Sequence, residues 1–570
     1  MTRSHQFSRK HNSNWCLWIL TGLFGILIIV KNLLFHQFCF DENLLTAEIW
    51  TNSLVRESVL LPKLSVSLFF VGLVLLTPRK FWTLIFLFLY DTWCVANLVY
   101  YRSTMSVIDI TAISMVGNMS GFWDSVWFLL SWKDTIFYGL TLLYCIGFYF
   151  LNTSQTKWKY SVVAFVVSYG MTLMGIYCMT KRWGRDLEMF YEPISKLMRR
   201  TISGVDYTLN VREFSLIHSW GFMMLDFLEI EQSKYELSDD ERSEVAALIG
   251  DENYVTFDDK LVIILVESLE DWAVNPVSMP HLYDFIKKHP RIWAHRISKQ
   301  TLNGASSDGQ LIINTGLLPI SQGATCYLFP SNKYPSIAAC CPNPSATIIP
   351  HEPTVWNQHY MSRSFGYDTT VVMTPNDSLL AQKTIDMLHE GYQMVQVITM
   401  ASHIPFTYGA SRSNLKLPES MPRFMADYMK SLHYTDEGLS LLFDAIDNDS
   451  TLFNTTIVIT GDHTIFYSDQ RYEYDLYCQQ AGFNYAVTEA YCPLIIHSAK
   501  RILHDIDINQ VAFQMDIYPT IMSLIGCKNY YWPGLGIDLS DTTKGLNRIV
   551  TEQQAYYMSN LLIRSNYFSN

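Results

Sequence analysis

Runs of like charge, paired metal-binding cysteines and internal repeats are all missing from these 570 residues. Charged residues make up only 16% of the chain and leave a formal net charge of −12, with no long basic run. That excludes nucleic acid as a partner, because neutralising phosphates needs clustered Lys and Arg. The 11 cysteines contain no CxxC pair and no zinc-finger spacing. Unpaired, partly buried thiols are one reading of them; a disulfide from Cys326 to Cys340 or Cys341 is the other if that region is extracytoplasmic.

Apolar residues, by contrast, are plentiful: 49% of the chain is hydrophobic and 14% aromatic. The bias is concentrated near the N-terminus, so two regions of different class are expected. Five segments there read as membrane spans: Trp15–Val30 running on through Leu33–Phe35, about Val59–Leu76, Phe81–Tyr100, Thr135–Leu151 and Tyr160–Met179. Each is near the ~20 apolar residues that cross ~30 Å of hydrocarbon. Arg3, Arg9 and Lys10, then Arg79 and Lys80, then Lys157 and Lys159 fall on one side if all five cross. The positive-inside rule places that side in the cytoplasm and everything after residue 180 outside. The expected organisation is a cytoplasmic N-terminus over 1–14, a five-helix transmembrane domain over 15–180, and a juxtamembrane helical linker over 181–255. An extracytoplasmic catalytic domain follows over 256–570. Within the linker, residues 213–230 are expected to lie along the membrane. The whole is placed in the cytoplasmic (inner) membrane as a multi-pass protein.

After residue 255 short β-branched runs alternate with amphipathic stretches, an α/β texture. Leu261–Val266, Ala346–Ile349, Met394–Thr399, Thr455–Thr460 and Pro493–His497 are predicted strands. In open α/β sheets ligands bind beyond the carboxyl ends of strands. Glu267 follows the first of these runs directly, Ser402 and His403 follow the third, and Asp462 and His463 follow the fourth. Ser306 and Ser307 lie in a Gly-containing turn that leads into a predicted helix. Any one of these is ordinary, since a carboxylate or serine ending a strand is often a cap or a turn former. Together they supply two carboxylates, two imidazoles and a hydroxyl at one sheet edge. A serine hydroxyl is a weak nucleophile that a divalent cation can activate. Glu267, Asp462 and His463 offer a mixed O/N set suited to manganese, zinc or magnesium. His403 is placed to protonate a leaving oxygen or to hold a phosphoryl group.

Five spans followed in order by VESLEDW, NGASSDGQ, NKYPSIA, VWNQHYMSRSFGYD, ASHIPF and GDHT resemble the lipoteichoic acid synthase family. Those proteins are membrane phosphoglycerol transferases of the alkaline phosphatase superfamily, with a sulfatase-like outer domain. The resemblance implies a single manganese ion held by Glu267, Ser306, Asp462 and His463, with Ser306 as the nucleophile in place of the family's Thr and Ser307 as its alternative. It also implies His351, Trp356, Gln358 and His403 for substrate binding. Two departures stand out. The family's Trp-Asn-Arg run reads Trp356-Asn357-Gln358, and Gln lacks the bidentate grip of Arg on a phosphate. The spacing from His351 to Trp356 is also short. Sulfatases share the superfamily, but Cys340-Cys341-Pro342-Asn343-Pro344 lacks the Arg that formylglycine formation needs.

The resemblance therefore implies transfer of phosphoglycerol from a membrane phospholipid donor, phosphatidylglycerol, to a glycan, glycolipid or polymer acceptor. A covalent intermediate on serine connects the two steps. Transfer of phosphoethanolamine, or phosphodiester or sulfate hydrolysis, is the enzymatic alternative. An inactive metal-binding envelope scaffold is the alternative of another class.

Overall fold

The computed structural model describes residues 2–40, 53–76, 80–104, 107–108, 123–149, 158–182, 211–212, 214–221, 224, 235–249, 259–321, 323–466, 468–526, 531–541, 543, 546, 548 and 550–569. Most of the expected linker, including much of 213–230, lies outside them, as does Cys527. The chain forms two units, Met1–Ile110 with Val126–Gln232 and Thr111–Ser125 with Ser233–Asn570.

The first unit is helical. Its principal helices are α1 (Thr2–Phe40), α2 (Ser53–Leu76), α3 (Lys80–Thr104), α4 (Thr135–Tyr149) and α5 (Trp158–Arg182). Three described stretches are long and apolar enough to cross a membrane: Trp18–Phe40, Trp82–Arg102 and Trp158–Cys178. The expectation of five therefore stands at three by this measure. In α2 the described apolar run is Leu60–Leu76. Helix α4 is described over 15 residues, fewer than this measure counts as a span. Small polar side chains tie the helices together. Ser67 Oγ donates to Gly25 O (2.7 Å), Ser161 Oγ to Gly72 O (2.6 Å) and Ser168 Oγ to Ser65 O (2.7 Å). These are the contacts expected where apolar surface gives helices little reason to associate. Lys31 of α1 and Asp91 of α3, both fully buried, form an ion pair. Thr141 of α4 joins it, accepting from Lys31 Nζ and donating to Asp91 Oδ2, each at 2.5 Å.

The second unit is built on one nine-stranded sheet. In chain order the strands are β1 (Leu261–Val266), β2 (Arg291–Ser298), β3 (Ser345–Ile349), β4 (Thr369–Val372), β5 (Met394–Ile398), β6 (Thr456–Gly461), β7 (Tyr491–His497), β8 (Ile506–Ile508) and β9 (Ala512–Phe513). They are arranged β4-β3-β5-β1-β6-β7-β2-β8, with β9 pairing β2. Central strand β1 runs parallel to β5 and β6, and all six of its residues are buried. Such a continuous apolar run suits a strand covered on both faces. Helix α6 (Pro280–Lys288) and helix α8 (Asp377–His389) pack on α9 (Arg423–Asn448). Helix α7 (Ala305–Thr315) packs on the later Ile517–Leu524 helix. The register of β1 with β6 sets Val266 opposite Gly461. The next residues of both strands, Glu267 and Asp462, therefore leave the sheet side by side.

Candidate active site

Strand ends position the two carboxylates. A Cβ on Gly461 would fall 2.2 Å from Leu269 O, so only glycine lets the turn after β1 pass over the end of β6. Asp462 Oδ1 then accepts from Ser268 N (2.7 Å) and from His463 N (2.9 Å). Asp462 Oδ2 is buried and has no hydrogen-bond partner. Glu267 Oε1 accepts from Ser268 Oγ at 2.9 Å, and Oε2 from Ser306 Oγ at 3.2 Å. His463 Nε2 lies 3.5 Å from Glu267 Oε1, 3.7 Å from Asp462 Oδ2 and 3.3 Å from Ser306 Oγ. Its Nδ1 is 3.2 Å from Thr464 O. Donation of the Nδ1–H there leaves the Nε2 lone pair facing the carboxylates.

Glu267, Asp462 and His463 are buried, and one ligand atom from each falls within a 4.8 Å cluster. Burial, and next the neighbouring Asp462 charge, hold the Glu267 carboxyl well above the usual carboxylate range. Two buried carboxylates this close, one with an unmet oxygen, call for a positive partner. With the imidazole and the serine oxygen they form a hard O/N donor set that fits a divalent cation.

Helix α7 brings in the hydroxyl. Ser306 faces the cluster, whereas Ser307 is buried with its Oγ donating to Gly304 O (2.7 Å) and lying 3.2 Å from Cys326 Sγ. Among the described residues no disulfide joins Cys326 to Cys340 or Cys341, which corrects the disulfide alternative; Cys326 instead packs behind the serine turn. Asp308 Oδ2 accepts from the backbone of Leu302 (2.9 Å) and Gly304 (2.8 Å), tightening that turn. A Cβ on Gly309 would meet Asp462 O at 2.8 Å, so the helix reaches the metal-type cluster only through glycine.

Backbone strain gathers at the same place. Among the described residues, six non-glycine residues have positive φ: Ser268, Ala305, Trp356, Asn357, Phe406 and Asn566. Ser268 adjoins Glu267, Ala305 adjoins Ser306, and Phe406 closes the loop of His403. Such conformations persist where the surroundings over-determine them, which is common at functional sites.

The remaining sequence candidates are dispersed around this centre. Ser402 Oγ donates to Glu267 O at 2.5 Å. His403 is half-buried, with Nδ1 2.6 Å from Ile404 O, and desolvation lowers its pKa. His351 Nδ1 lies 3.0 Å from Glu352 O, and burial lowers its pKa too. The two imidazoles interact electrostatically, as do His403 and Asp462. The Trp356 ring lies 6.1 Å from that of Tyr327. Gln358 is buried, and its amide donates to Gln310 Oε1 at 3.1 Å. Sequence reasoning missed Ser268, whose N–H holds Asp462, and Gln514, whose Nε2 donates to Asp462 O at 2.7 Å. It also missed Glu270 and Arg471. Glu270 was visible in VESLEDW, but nothing local announces a partner about 200 residues away.

Comparison with known proteins places the chain. The family model "Lipoteichoic acid synthase N-terminal domain" matches residues 1–190, and the "Sulfatase" model matches residues 340–527. The lipoteichoic acid synthase of Staphylococcus aureus (strain USA300) is 23% identical over 542 residues, covering 85% of this chain and 78% of that protein. The chain is therefore similar to lipoteichoic acid synthases over most of its length, and its second unit carries the sulfatase-type match. Among solved structures, the integral membrane lipooligosaccharide phosphoethanolamine transferase A of Neisseria meningitidis matches with a TM-score of 0.50 at 10% identity. That match covers 91% of this chain and 97% of the other. The lipoteichoic acid synthase LtaP of Listeria monocytogenes matches at a TM-score of 0.46 and 16% identity, covering 58% of this chain and 98% of that one. The chain joins an apolar helical unit, within the stretch similar to the lipoteichoic acid synthase N-terminal domain, to an α/β unit that holds the sulfatase match.

Proposed function

We propose that this phosphotransferase moves phosphoglycerol from an anionic phospholipid, phosphatidylglycerol, to a hydroxyl on a glycan, glycolipid or growing polymer. The observation that carries the reading is Ser306 Oγ within bonding reach of Glu267 Oε2 and His463 Nε2, beside a buried carboxylate pair with one oxygen, Asp462 Oδ2, that accepts no hydrogen bond.

Glu267, Asp462, His463 and the Ser306 oxygen would hold one divalent cation, manganese in this reading, with zinc or magnesium suited to the same donors. Bound there, it would lower the pKa of the serine hydroxyl and offset the charge of a phosphate. The chain's own groups do the rest. Ser306 Oγ gives its proton to Glu267 Oε2, 3.2 Å away, and attacks phosphorus. The Oγ–P bond forms as the bond from phosphorus to the diacylglycerol oxygen breaks, and that oxygen takes up a proton from water. An acceptor hydroxyl then attacks the phosphoserine diester, the Oγ–P bond breaks, and Ser306 Oγ takes back the proton held by Glu267. His403 suits the second step. Its Nδ1 is engaged by Ile404 O and burial favours the neutral ring, so Nε2 can accept the acceptor's proton. His351 and Trp356 line the head-group side in this scheme, with Gln358 behind them.

The membrane arrangement belongs to the same proposal. All five principal helices of the first unit span the cytoplasmic membrane, the N-terminus is inside, residues 181–255 link the units, and residues 256–570 work outside. Anchoring holds the site near its lipid donor and raises effective concentration.

Full-length protein given labelled phosphatidylglycerol should carry label on Ser306 and release diacylglycerol, and Ser306→Ala should do neither. Covalent label on the variant would refute the assignment. Gln358, neutral and turned toward Gln310, favours one second reading, phosphoethanolamine transfer. Offering phosphatidylethanolamine in parallel decides between the head groups. A metal-loaded protein that turns over neither lipid would be a scaffold.

A further inference from the structure

Three residues after Glu267, a second buried glutamate has a different arrangement. Glu270 is fully buried, and both its oxygens are saturated. Oε1 accepts from Ile465 N (2.9 Å), Phe466 N (3.3 Å) and Arg471 Nη2 (2.6 Å). Oε2 accepts from Trp272 Nε1 (2.8 Å) and Arg471 Nη1 (2.9 Å). Arg471, itself buried, spends its other N–H groups on main chain. Nε donates to Phe466 O (3.0 Å), and Nη1 also to Val487 O (2.7 Å) and Glu489 O (3.3 Å). The Glu270 N–H donates to Tyr428 Oη (3.0 Å), which in turn donates to Ser268 O (2.8 Å).

These bonds interlock two turns. One follows β1 and carries Glu267; the other follows β6 and carries Asp462 and His463. Ser268 N reaches across to Asp462, and Glu270 reaches across to the amides two and three residues beyond His463. We infer that the Glu270–Arg471 pair is a positioning device that holds the Asp462–Phe466 turn against the Glu267 turn and so sets the geometry of the cation's ligands. The bidentate fork neutralises Glu270, which keeps it out of the ligand set while its oxygens serve as the template for the turn. Partners that orient ligands in this way typically contribute 10–100-fold in metal affinity.

This inference rests on the metal reading of the site, so its test begins with the parent. Full-length parent, Glu270→Gln and Arg471→Lys proteins are compared in detergent for Mn2+ affinity by competition with a chromophoric chelator, and for kcat and KM at saturating Mn2+. Gln must turn an NH2 toward either the Ile465 and Phe466 amides or the Trp272 indole N–H, so one donor faces another in either rotamer. Lys keeps the charge but loses the fork. Both variants should bind Mn2+ at least tenfold more weakly, regain much of the lost rate at high Mn2+, and keep the parent's KM for the lipid. A folded variant with affinity and kcat within twofold of the parent would overturn the positioning role. Failure of both variants to fold would reassign the pair to the core and overturn it equally. A parent that binds no Mn2+ would instead remove the underlying site reading.

Discussion

The two units of this protein bury charge in opposite ways. In the helical unit Lys31 meets Asp91, opposite signs, with Thr141 bonded to both. In the α/β unit Glu267 meets Asp462, like signs, with one acceptor oxygen left over. Desolvating a charge is costly unless a partner compensates it. A compensated pair is architecture: it holds helices together and asks for nothing further. A like-charged pair of this kind is a site suited to a cation. Glu270 and Arg471 give an internal control, since the same domain, one turn away, compensates a buried carboxylate completely.

This contrast can be broken at several points. The largest effect is expected at Ser306. Ser306→Ala should lower transfer by about 10³-fold or more, because the nucleophile itself is removed, while Mn2+ still binds; steady-state turnover and chelator competition read the two.

Asp462→Asn sharpens the contrast because its two effects have opposite signs. Affinity for the cation should fall by about 100-fold or more with a charged ligand gone. The metal-free protein should nevertheless unfold at a higher temperature than the metal-free parent. Asn keeps the Oδ1 acceptor for Ser268 and His463, removes the repulsion on Glu267, and can donate to it. Thermal unfolding with and without chelator reads both.

In the helical unit the signs reverse. Asp91→Leu strands a buried ammonium and should cost about 3–5 kcal/mol, whereas Lys31→Met combined with Asp91→Leu should return close to the parent. Equal loss in the single and double variants, measured by thermal stability in detergent, would mean that the ion pair is not what holds α1 to α3.

The smallest effect concerns a buried acid away from the site. Burial pushes the carboxyl of Asp377, at the start of α8, from 3.8 up to about 6, against the donors Thr435 and Met400. The folded state then holds its proton more tightly than the unfolded chain does. Its contribution is full below about pH 4 and is lost as pH rises toward about 6, at no more than about 1.4 kcal/mol per pH unit. Asp377→Asn should flatten that part of the stability profile.

The parts of the fold that were legible in the sequence follow from burial. Strands β1, β3, β5, β6 and β7 are covered on both faces and read as apolar runs, so their positions were predicted within about two residues. Strand β2, RIWAHRIS, alternates buried and half-exposed residues and carries two arginines and a histidine. Strand β4 is half-exposed throughout its first three residues. Neither announces itself by composition. The site residues stood out because chemistry-bearing side chains followed apolar runs, and the parallel register of β1 with β6 explains why Glu267 and Asp462 meet. Which serine faces them depends on the turn at Gly304 and Ala305, a backbone matter invisible in NGASSDGQ. Gln358 was read as facing substrate, but its side chain turns to Gln310, because the turn at Trp356 and Asn357 sets its direction.

One measurement bears most directly on the account: anomalous scattering at the manganese edge from crystals of the full chain grown with Mn2+. A single strong peak within ligand distance of Glu267, Ser306, Asp462 and His463 is the expected result. A peak elsewhere, or contacts to only some of the four with Ser306 turned away, would contradict it.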